Sequence, residues 1–181
     1  MSFFEEKQIS REEIYDGAVL HVVKDTILLP NGNTSIREFC LHKGAVAVIP
    51  VDENNIVTMV RQFRYAHHRE FLEIPAGKLD SIDEIPLEAA KRELREETGA
   101  VAVKYTDLGI LDTTPALIDE KIQIYMAEGL TFGETAPDDD EFLEIVRYPL
   151  AELVEMVMSG NIRDGKTQIA ILKAAKIKGI L

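Results

Sequence analysis

The chain has 181 residues, of which 46% are hydrophobic and 29% are charged, as in an ordinary soluble globular protein with one full core and room for a small extension. Its net charge of −12 opposes long-range attraction to nucleic acid and to anionic membranes, so we expect neither as a partner. An acidic chain that acted on a phosphorylated substrate would need bound cations, a local cluster of arginines, or both.

The single cysteine, Cys40, cannot form an internal disulfide, which favours a reducing compartment. No apolar run reaches the length of a membrane span, and the first residues carry neither the basic nor the apolar region of an export signal. We therefore expect a cytoplasmic protein.

The chain begins with a stretch that we predict to be antiparallel strands, at residues 8–15, 19–29 and 34–42, with an Asn31-Gly32 turn before the last of them. Further strands are predicted at residues 45–51, 56–62 and 70–74. The pattern divides the chain into an N-terminal β-sheet extension, residues 1–43, and a main domain, residues 44–181.

The clearest helix is predicted over residues 85–98, because Pro86 suits its first turn and Gly99 suits its C-terminal cap. Apolar residues recur there at i, i+3 and i+7 and form one core-facing stripe: Leu87, Ala90 and Leu94. Strands at residues 101–112, 121–127 and 141–148 follow, and helices at 150–159 and 164–177 complete the chain. Strands interleaved with helices predict an α/β or α+β fold.

The end of the first helix is unusually acidic. Glu93, Glu96 and Glu97 stand at i, i+3 and i+4, so their carboxylates share one face. Two of them lie in the last turn, where the negative end of the helix dipole makes each placement unfavourable by a few tenths of a kcal/mol. A hard divalent cation such as Mg²⁺ or Mn²⁺ would remove this penalty. The alternative is a solvated acidic face neutralised by Arg92 and Arg95.

The residues around this helix closely resemble the Nudix box, G-x5-E-x7-R-E-U-x-E-E-x-G-U, in the order Gly77, Glu84, Arg92-Glu93-Leu94-Arg95-Glu96-Glu97-Thr98-Gly99. Six residues rather than five separate Gly77 from Glu84, so a one-residue bulge, or Asp83 in place of Glu84, would be needed to keep the pattern. Ala100 stands where a larger aliphatic residue is usual.

The resemblance spans about residues 37–173 and implies the Nudix α/β/α sandwich around a mixed sheet. It implies that Glu93, Glu96 and Glu97 bind metal, joined by the backbone carbonyl of Ala76. Two further residues would support these ligands without touching the metal themselves, namely Arg92 and the box glycine, Gly77.

Three other stretches resemble the ADP-ribose pyrophosphatase branch of the family. Residues 61–64, Arg-Gln-Phe-Arg, resemble a strand motif of that branch, in which Arg64 rather than Arg61 is the residue that we expect to contact phosphate or substrate. Arg37 would join Arg64 in holding the phosphates or the terminal ribose. Pro115 lies sixteen residues after Gly99, as in that branch, although Ala116 replaces the usual glycine. Glu120 matches an acidic position that follows this proline.

The acidic run of residues 138–141 resembles the loop in which these enzymes keep a catalytic glutamate, so Glu141 is our first choice for the general base. Asp139 is the reserve within the loop, and Glu97 is the second choice overall. Taken alone, such a run is more often a solvated turn.

The resemblance therefore implies Mg²⁺-dependent hydrolysis of ADP-ribose to AMP and ribose 5-phosphate, with Mn²⁺ able to substitute for Mg²⁺. The nearest alternative keeps the chemistry but changes the substrate to another nucleoside diphosphate sugar or a dinucleoside polyphosphate. A non-catalytic ADP-ribose-binding module ranks lower, since all three glutamates are present. The resemblance also implies a homodimer in which the N-terminal sheet crosses to the partner.

Overall fold

The computed structural model describes residues 3–136 and 141–181. The chain forms two compact units. The first contains the residues up to Lys43 together with Asp112–Lys121, and the second contains Gly44–Leu111 and Ile122–Leu181. The division at residue 43 drawn from the sequence left out the return of Asp112–Lys121, because pairing between distant segments has no local sequence signal.

The first unit is built on a three-stranded antiparallel sheet in the order β1-β2-β3: β1 (Lys7–Asp16), β2 (His21–Leu28) and β3 (Thr34–Leu41). The turn between β2 and β3 has Gly32 at φ +86°, a backbone conformation that favours glycine. The strands predicted for this region are therefore present, with the ends shifted by one or two residues.

The second unit interleaves strands and helices. Its elements are β4 (Ala45–Pro50), β5 (Ile56–Arg64), β6 (Arg69–Glu73), β7 (Ala76–Lys78), α1 (Pro86–Thr98), β8 (Ala100–Asp112), β9 (Lys121–Phe132), β10 (Glu144–Pro149), α2 (Leu150–Met158) and α3 (Gly165–Ile177). They form a sheet in the order β7-β4-β9-β8 and a second sheet in the order β10-β5-β6. Strand β4 runs parallel to β9 and antiparallel to β7, so the first of these sheets is mixed.

The central strand β4 is buried on both faces, and its side chains alternate between two cores. Val46 and Val48 pack in the core that contains Leu94 of α1. Ala47 and Ile49 belong to the opposite core, which also holds the buried residues of α2 and α3. The expected α/β/α layering is therefore confirmed.

Three local features differ from the prediction. Strand β9 continues to Phe132 rather than ending at residue 127. The three-residue strand β7 was missed, because it is too short to show a period and lies between a proline and a loop. The last strand begins at Glu144 rather than at Glu141. No helix of the described residues is long and apolar enough to cross a membrane.

The C-terminus of α1 is closed by Gly99, whose φ is +69° and whose N–H donates to the carbonyl of Arg95 over 2.8 Å. The carbonyl of Gly99 accepts a bond of 2.8 Å from the N–H of Gly133, and Ala136 donates to the carbonyl of Glu96 over 2.9 Å. The helix end is thus tied to the segment that leads toward the acidic run.

A substitution at Gly99 tests this junction. A Cβ there would lie 2.3 Å from the carbonyl oxygen of Gly133, whereas a Cβ at Gly160, at φ +78°, would meet nothing within 4 Å. We expect Gly160→Ala to cost about 1 kcal/mol of unfolding free energy through backbone strain alone. Gly99→Ala should cost about 2–4 kcal/mol, because a steric clash adds to the strain. Equal losses in urea denaturation would show that the contact with Gly133 contributes nothing.

Candidate metal centre and active site

The acidic residues of α1 are largely withdrawn from solvent. Glu93 is 8% exposed and Glu97 is 3% exposed, while Glu96 is half-buried. Helix α1 packs on β4 and β7, and the glutamates share its buried side with Ala90 and Leu94. The buried face of this helix therefore contains carboxylates as well as apolar side chains. Charge lies where a stable helix would carry apolar residues.

The segment from Ile74 to Leu79 lies beside these carboxylates and is held by backbone bonds. The carbonyl of Pro75 accepts from the N–H of Val48 over 2.8 Å, and Leu79 donates to the carbonyl of Gly44 over 3.1 Å. Within this segment, the N–H of Ala76 donates to Oε2 of Glu97 over 3.3 Å. The backbone of Ala76, which the sequence nominated as a carbonyl ligand, therefore lies next to a nominated carboxylate.

Gly77 leaves the space that Glu93 occupies. A Cβ built at Gly77 would lie 2.1 Å from the carboxyl carbon of Glu93, well inside van der Waals contact. Gly77 also pairs with Val46 of β4, which fixes its backbone. Glycine at this position lets the carboxylate approach the backbone closely, and a larger residue would have to displace the end of the Glu93 side chain.

Arg92 lies among the acidic side chains and binds several of them. Its Nη1 donates to Glu93 over 2.7 Å and to Glu96 over 3.3 Å, and its Nη2 lies 3.3 Å from Glu84. Burial alone would lower the pKa of Arg92, but these carboxylates, Glu93 above all, raise it above its ordinary value. Glu84 rather than Asp83 pairs with Arg92, and Glu84 also accepts from the N–H of Asp80 over 2.6 Å.

Glu97 differs from its neighbours, because no arginine or lysine of the described residues lies within 4 Å of its carboxylate. Burial raises the pKa of Glu97 to about 8, and the charges of Glu93 and Glu141 act in the same direction. Burial likewise raises the pKa of Glu93, against the opposing effect of Arg92. Arg92 offsets part of this effect at Glu93, and the N–H of Ala76 and the more distant charge of Lys166 offset part of it at Glu97. A bound cation would stabilise the charged forms of both carboxylates further.

The oxygen donors of the site suit a hard divalent ion, but they are not already arranged around one ion position. Carboxylate and carbonyl oxygens suit Mg²⁺ or Mn²⁺. Over residues 3–136 and 141–181, no group of three acidic, histidine or cysteine side chains is arranged around one point as ion ligands. Glu93 and Glu96 are bonded instead to Arg92, and Glu97 to the N–H of Ala76.

Arg64, which the sequence predicts to contact substrate, forms an ion pair with Glu73. Its Nε and Nη2 donate to the two carboxylate oxygens of Glu73 over 2.8 and 2.7 Å, a bidentate pair. Hydrogen bonding to Glu73 raises the pKa of Arg64, and the charge of Glu97 contributes to the same shift. Arg64 therefore belongs to the electrostatic surroundings of the acidic helix end.

Glu141 lies just beyond residues 137–140, and its charge contributes to the raised pKa values of Glu93 and Glu97. Its carboxylate is thus electrostatically coupled to the site although the residue itself is exposed. Asp139, the reserve choice for the base, lies outside the described residues.

The other nominated residues lie in the first unit. Arg37 is held there by Glu6, to which its Nε donates over 3.0 Å. Pro115 is exposed in the Asp112–Lys121 segment, and Glu120 lies 3.6 Å from Nε2 of His42. Within that unit these three residues do not share one cluster of side chains.

Two residues near Arg64 were not among the site residues predicted from the sequence: Glu73, which binds Arg64, and Lys166, which binds Glu73. Glu73 is 2% exposed and forms ion pairs with both Arg64 and Lys166. A usable signal existed for Lys166, because a lysine in the first turn of a helix opposes the helix dipole and calls for a nearby carboxylate.

A change of Gly77 tests the close approach of Glu93. We expect Gly77→Ala to remain folded, with a melting temperature within a few degrees of wild type, because the flexible carboxylate can move away from the new methyl group. The affinity for Mn²⁺, measured by calorimetry, should fall at least about tenfold, since a metal ligand is displaced. Gly165→Ala is the matched control, as a Cβ there meets nothing within 4 Å. Unchanged Mn²⁺ affinity in Gly77→Ala would contradict the assignment of Glu93.

Comparison with solved structures supports the fold. The crystal structure of an ADP compounds hydrolase matches the chain with a TM-score of 0.85, covering 99% of this chain and 98% of that one at 24% sequence identity.

Curated relatives cover nearly the whole chain. An ADP-ribose pyrophosphatase of Bacillus subtilis (strain 168) is 40% identical over 173 residues, which cover 94% of this chain and 93% of the relative. A methanol dehydrogenase activator of Bacillus methanolicus is 42% identical, with coverages of 93% and 91%. A GDP-mannose pyrophosphatase of Yersinia enterocolitica serotype O:8 / biotype 1B (strain NCTC 13174 / 8081) is 30% identical, with coverages of 85% and 86%. The NUDIX domain model matches residues 41–168, and the chain is therefore a member of the Nudix family.

Proposed function

We propose that the chain hydrolyses the pyrophosphate bond of ADP-ribose and releases AMP and ribose 5-phosphate. The observation that carries this proposal is the burial of Glu93 and Glu97 at the end of α1 against Ala76 and Gly77, with the carboxylate of Glu97 unpaired by any basic side chain of the described residues. The Bacillus subtilis relative, named as an ADP-ribose pyrophosphatase, supports the choice of substrate.

Nudix hydrolases generally need a divalent metal ion, and we propose Mg²⁺ here, with Mn²⁺ as a substitute. Glu93, Glu96, Glu97 and the carbonyl of Ala76 would hold it. When bound, such an ion neutralises phosphate charge and lowers the pKa of a coordinated water.

The remaining residues orient the substrate and move the proton. We assign the general base to Glu141, which would take a proton as the water oxygen bonds to phosphorus and the bond to the bridging oxygen breaks. Glu97 is the second choice for this role. Arg64 and Arg37 would bind phosphate or ribose oxygens. Pro115 and Glu120, both within the Asp112–Lys121 segment, would contact the remainder of the substrate.

The decisive experiment is a hydrolysis screen with Mg²⁺ over ADP-ribose, GDP-mannose, UDP-glucose, NADH and diadenosine polyphosphates, with products identified and quantified by chromatography. The proposal expects the highest kcat/KM for ADP-ribose. A preference for GDP-mannose would favour the activity named for the Yersinia relative, and binding of ADP-ribose without turnover would favour a non-catalytic module.

The methanol dehydrogenase activator among the relatives supports a second candidate function, activation of a dehydrogenase. The same purified chain can be added to a methanol dehydrogenase assay. A rate increase that persists when hydrolysis is abolished would identify activation as a separate function.

We also propose that the chain is a cytoplasmic homodimer. Strand β1 is exposed along its whole length although it carries Ile9, Ile14 and Tyr15, and contiguous exposed apolar surface often marks an interface. Sedimentation equilibrium should give twice the mass of the chain. A single-chain mass at micromolar concentration would contradict the dimer.

The metal site is tested by Glu97→Gln. We expect turnover with saturating Mg²⁺ to fall by about three orders of magnitude, because a carboxylate ligand is lost. The variant should remain folded, since the Gln amide oxygen can still accept from Ala76. Glu88→Gln, on the exposed side of the same helix and paired with Lys91, is the control and should keep wild-type turnover. Near-normal turnover in Glu97→Gln would remove the metal-site assignment.

The base is tested by Glu141→Gln. We expect kcat to fall at least about a hundredfold while Mn²⁺ affinity changes little, because general-base catalysis contributes about 10²–10⁴-fold. Glu144→Gln serves as control, since Glu144 pairs with Arg61 at an exposed site. An unchanged kcat in Glu141→Gln would return the role of base to Glu97.

A further inference from the structure

A compact set of four charged side chains lies behind Arg64 in the second unit: Arg64, Glu73, Asp164 and Lys166, here called the charge cluster. Glu73 accepts from Arg64 over 2.8 and 2.7 Å and also accepts from Nζ of Lys166. Nζ of Lys166 lies 3.0 Å from Asp164. Two positive and two negative charges therefore form one neutral network.

Stability alone does not explain this network. The side chains of Glu73 and Lys166 are only 2% and 10% exposed, and the desolvation of a buried ion pair often cancels its Coulomb attraction. Lys166 also lies in the first turn of α3, where the positive end of the helix dipole disfavours a cation. A buried apolar pair would avoid both penalties.

The charge cluster is joined to the loop of the active site. Asp164 caps α3 by accepting from the N–H of Thr167 over 2.9 Å. The hydroxyl of Thr167 accepts from the N–H of Ile74 over 3.0 Å, and Ile74 is two residues before Ala76, whose N–H binds Glu97. The start of α3 therefore holds the residues on which the metal site rests.

Arg64 is the exposed end of the charge cluster. Its side chain is 42% exposed, whereas those of Glu73 and Lys166 are buried. Glu73 engages Nε and Nη2, and Nη1 makes no hydrogen bond to any of the described residues. The planar guanidinium is thus fixed on one edge and free to donate from the other, the geometry that suits a phosphate group.

We propose that Glu73 and Lys166 are positioning residues, which hold the guanidinium of Arg64 so that its free edge binds the diphosphate of the substrate. This inference rests on the proposed function. Lys166 fixes the position of the Glu73 carboxylate. Glu73 in turn fixes the plane of the Arg64 guanidinium. Neither touches the substrate.

The test is a double-mutant cycle on KM and kcat with ADP-ribose and saturating Mg²⁺. Glu73→Gln should raise KM about tenfold with kcat nearly unchanged, because a misplaced guanidinium loses binding to substrate and transition state alike. Arg64→Ala should raise KM at least as much. In the Arg64→Ala background, Glu73→Gln should change KM less than about twofold, because its effect acts through the side chain already removed.

Lys166→Met gives a second cycle. It should raise KM in the wild-type background and change KM less than about twofold in the Arg64→Ala background. Glu73→Asp keeps the buried negative charge, so it remains informative where Glu73→Gln does not fold. Arg61→Ala is the matched control, since Arg61 lies on the same strand and pairs with exposed Glu144; its KM should stay within about twofold of wild type.

An equal rise of KM from Glu73→Gln or Glu73→Asp in both backgrounds would overturn the inference, as would unchanged KM in the Arg64→Ala variant. Failure of the wild type to hydrolyse ADP-ribose would contradict the proposed function instead. In that case the same cycle is measured by calorimetric binding of inorganic pyrophosphate in Mg²⁺. Equal effects of Glu73→Gln on pyrophosphate affinity in the presence and absence of Arg64, or no pyrophosphate binding by the wild type, would overturn the inference itself.

Discussion

The approach of Glu93 and Glu97 to the backbone of Ala76 and Gly77 is the contact on which the rest of the site depends. Strand β4 makes it possible, because it pairs with β7 along one edge and supports α1 on one face. The helix thereby places two carboxylates against this backbone segment. The carboxylate of Glu93 occupies the space that a Cβ at Gly77 would take. Arg92 then compensates Glu93 and Glu96, whereas the carboxylate of Glu97 is left with one backbone N–H.

The charge balance of the second unit follows from this contact. The chain as a whole carries −12, yet Arg92 and Arg64 lie beside the acidic helix end and each is held by carboxylates. Ion pairs with these carboxylates restrict the motion of both guanidinium groups. The helix end therefore combines buried carboxylates with fixed cations, ionisable groups that a purely structural core would exclude.

The first unit is shared with the relatives, since the Bacillus subtilis protein covers 94% of this chain whereas the family model begins at residue 41. Its ordered charges include Asp25, which is buried and bound on both oxygens by Arg11 over 2.7 Å. Its strand β1 nevertheless leaves Ile9 and Tyr15 exposed. These exposed apolar side chains are the basis of the dimer proposed above.

The sequence by itself determined the α/β class, the helix over residues 85–98 and its cap at Gly99, because hydrophobic period, proline, glycine and spacing are local signals. It also determined the acidic face of α1, since residues at i, i+3 and i+4 of a helix share one face. Only the tertiary structure decided that Glu84 pairs with Arg92, that Glu73 and Lys166 lie behind Arg64, and that Asp112–Lys121 returns to the first unit. These relations join residues distant in the chain, and their geometry depends on packing that no local pattern encodes.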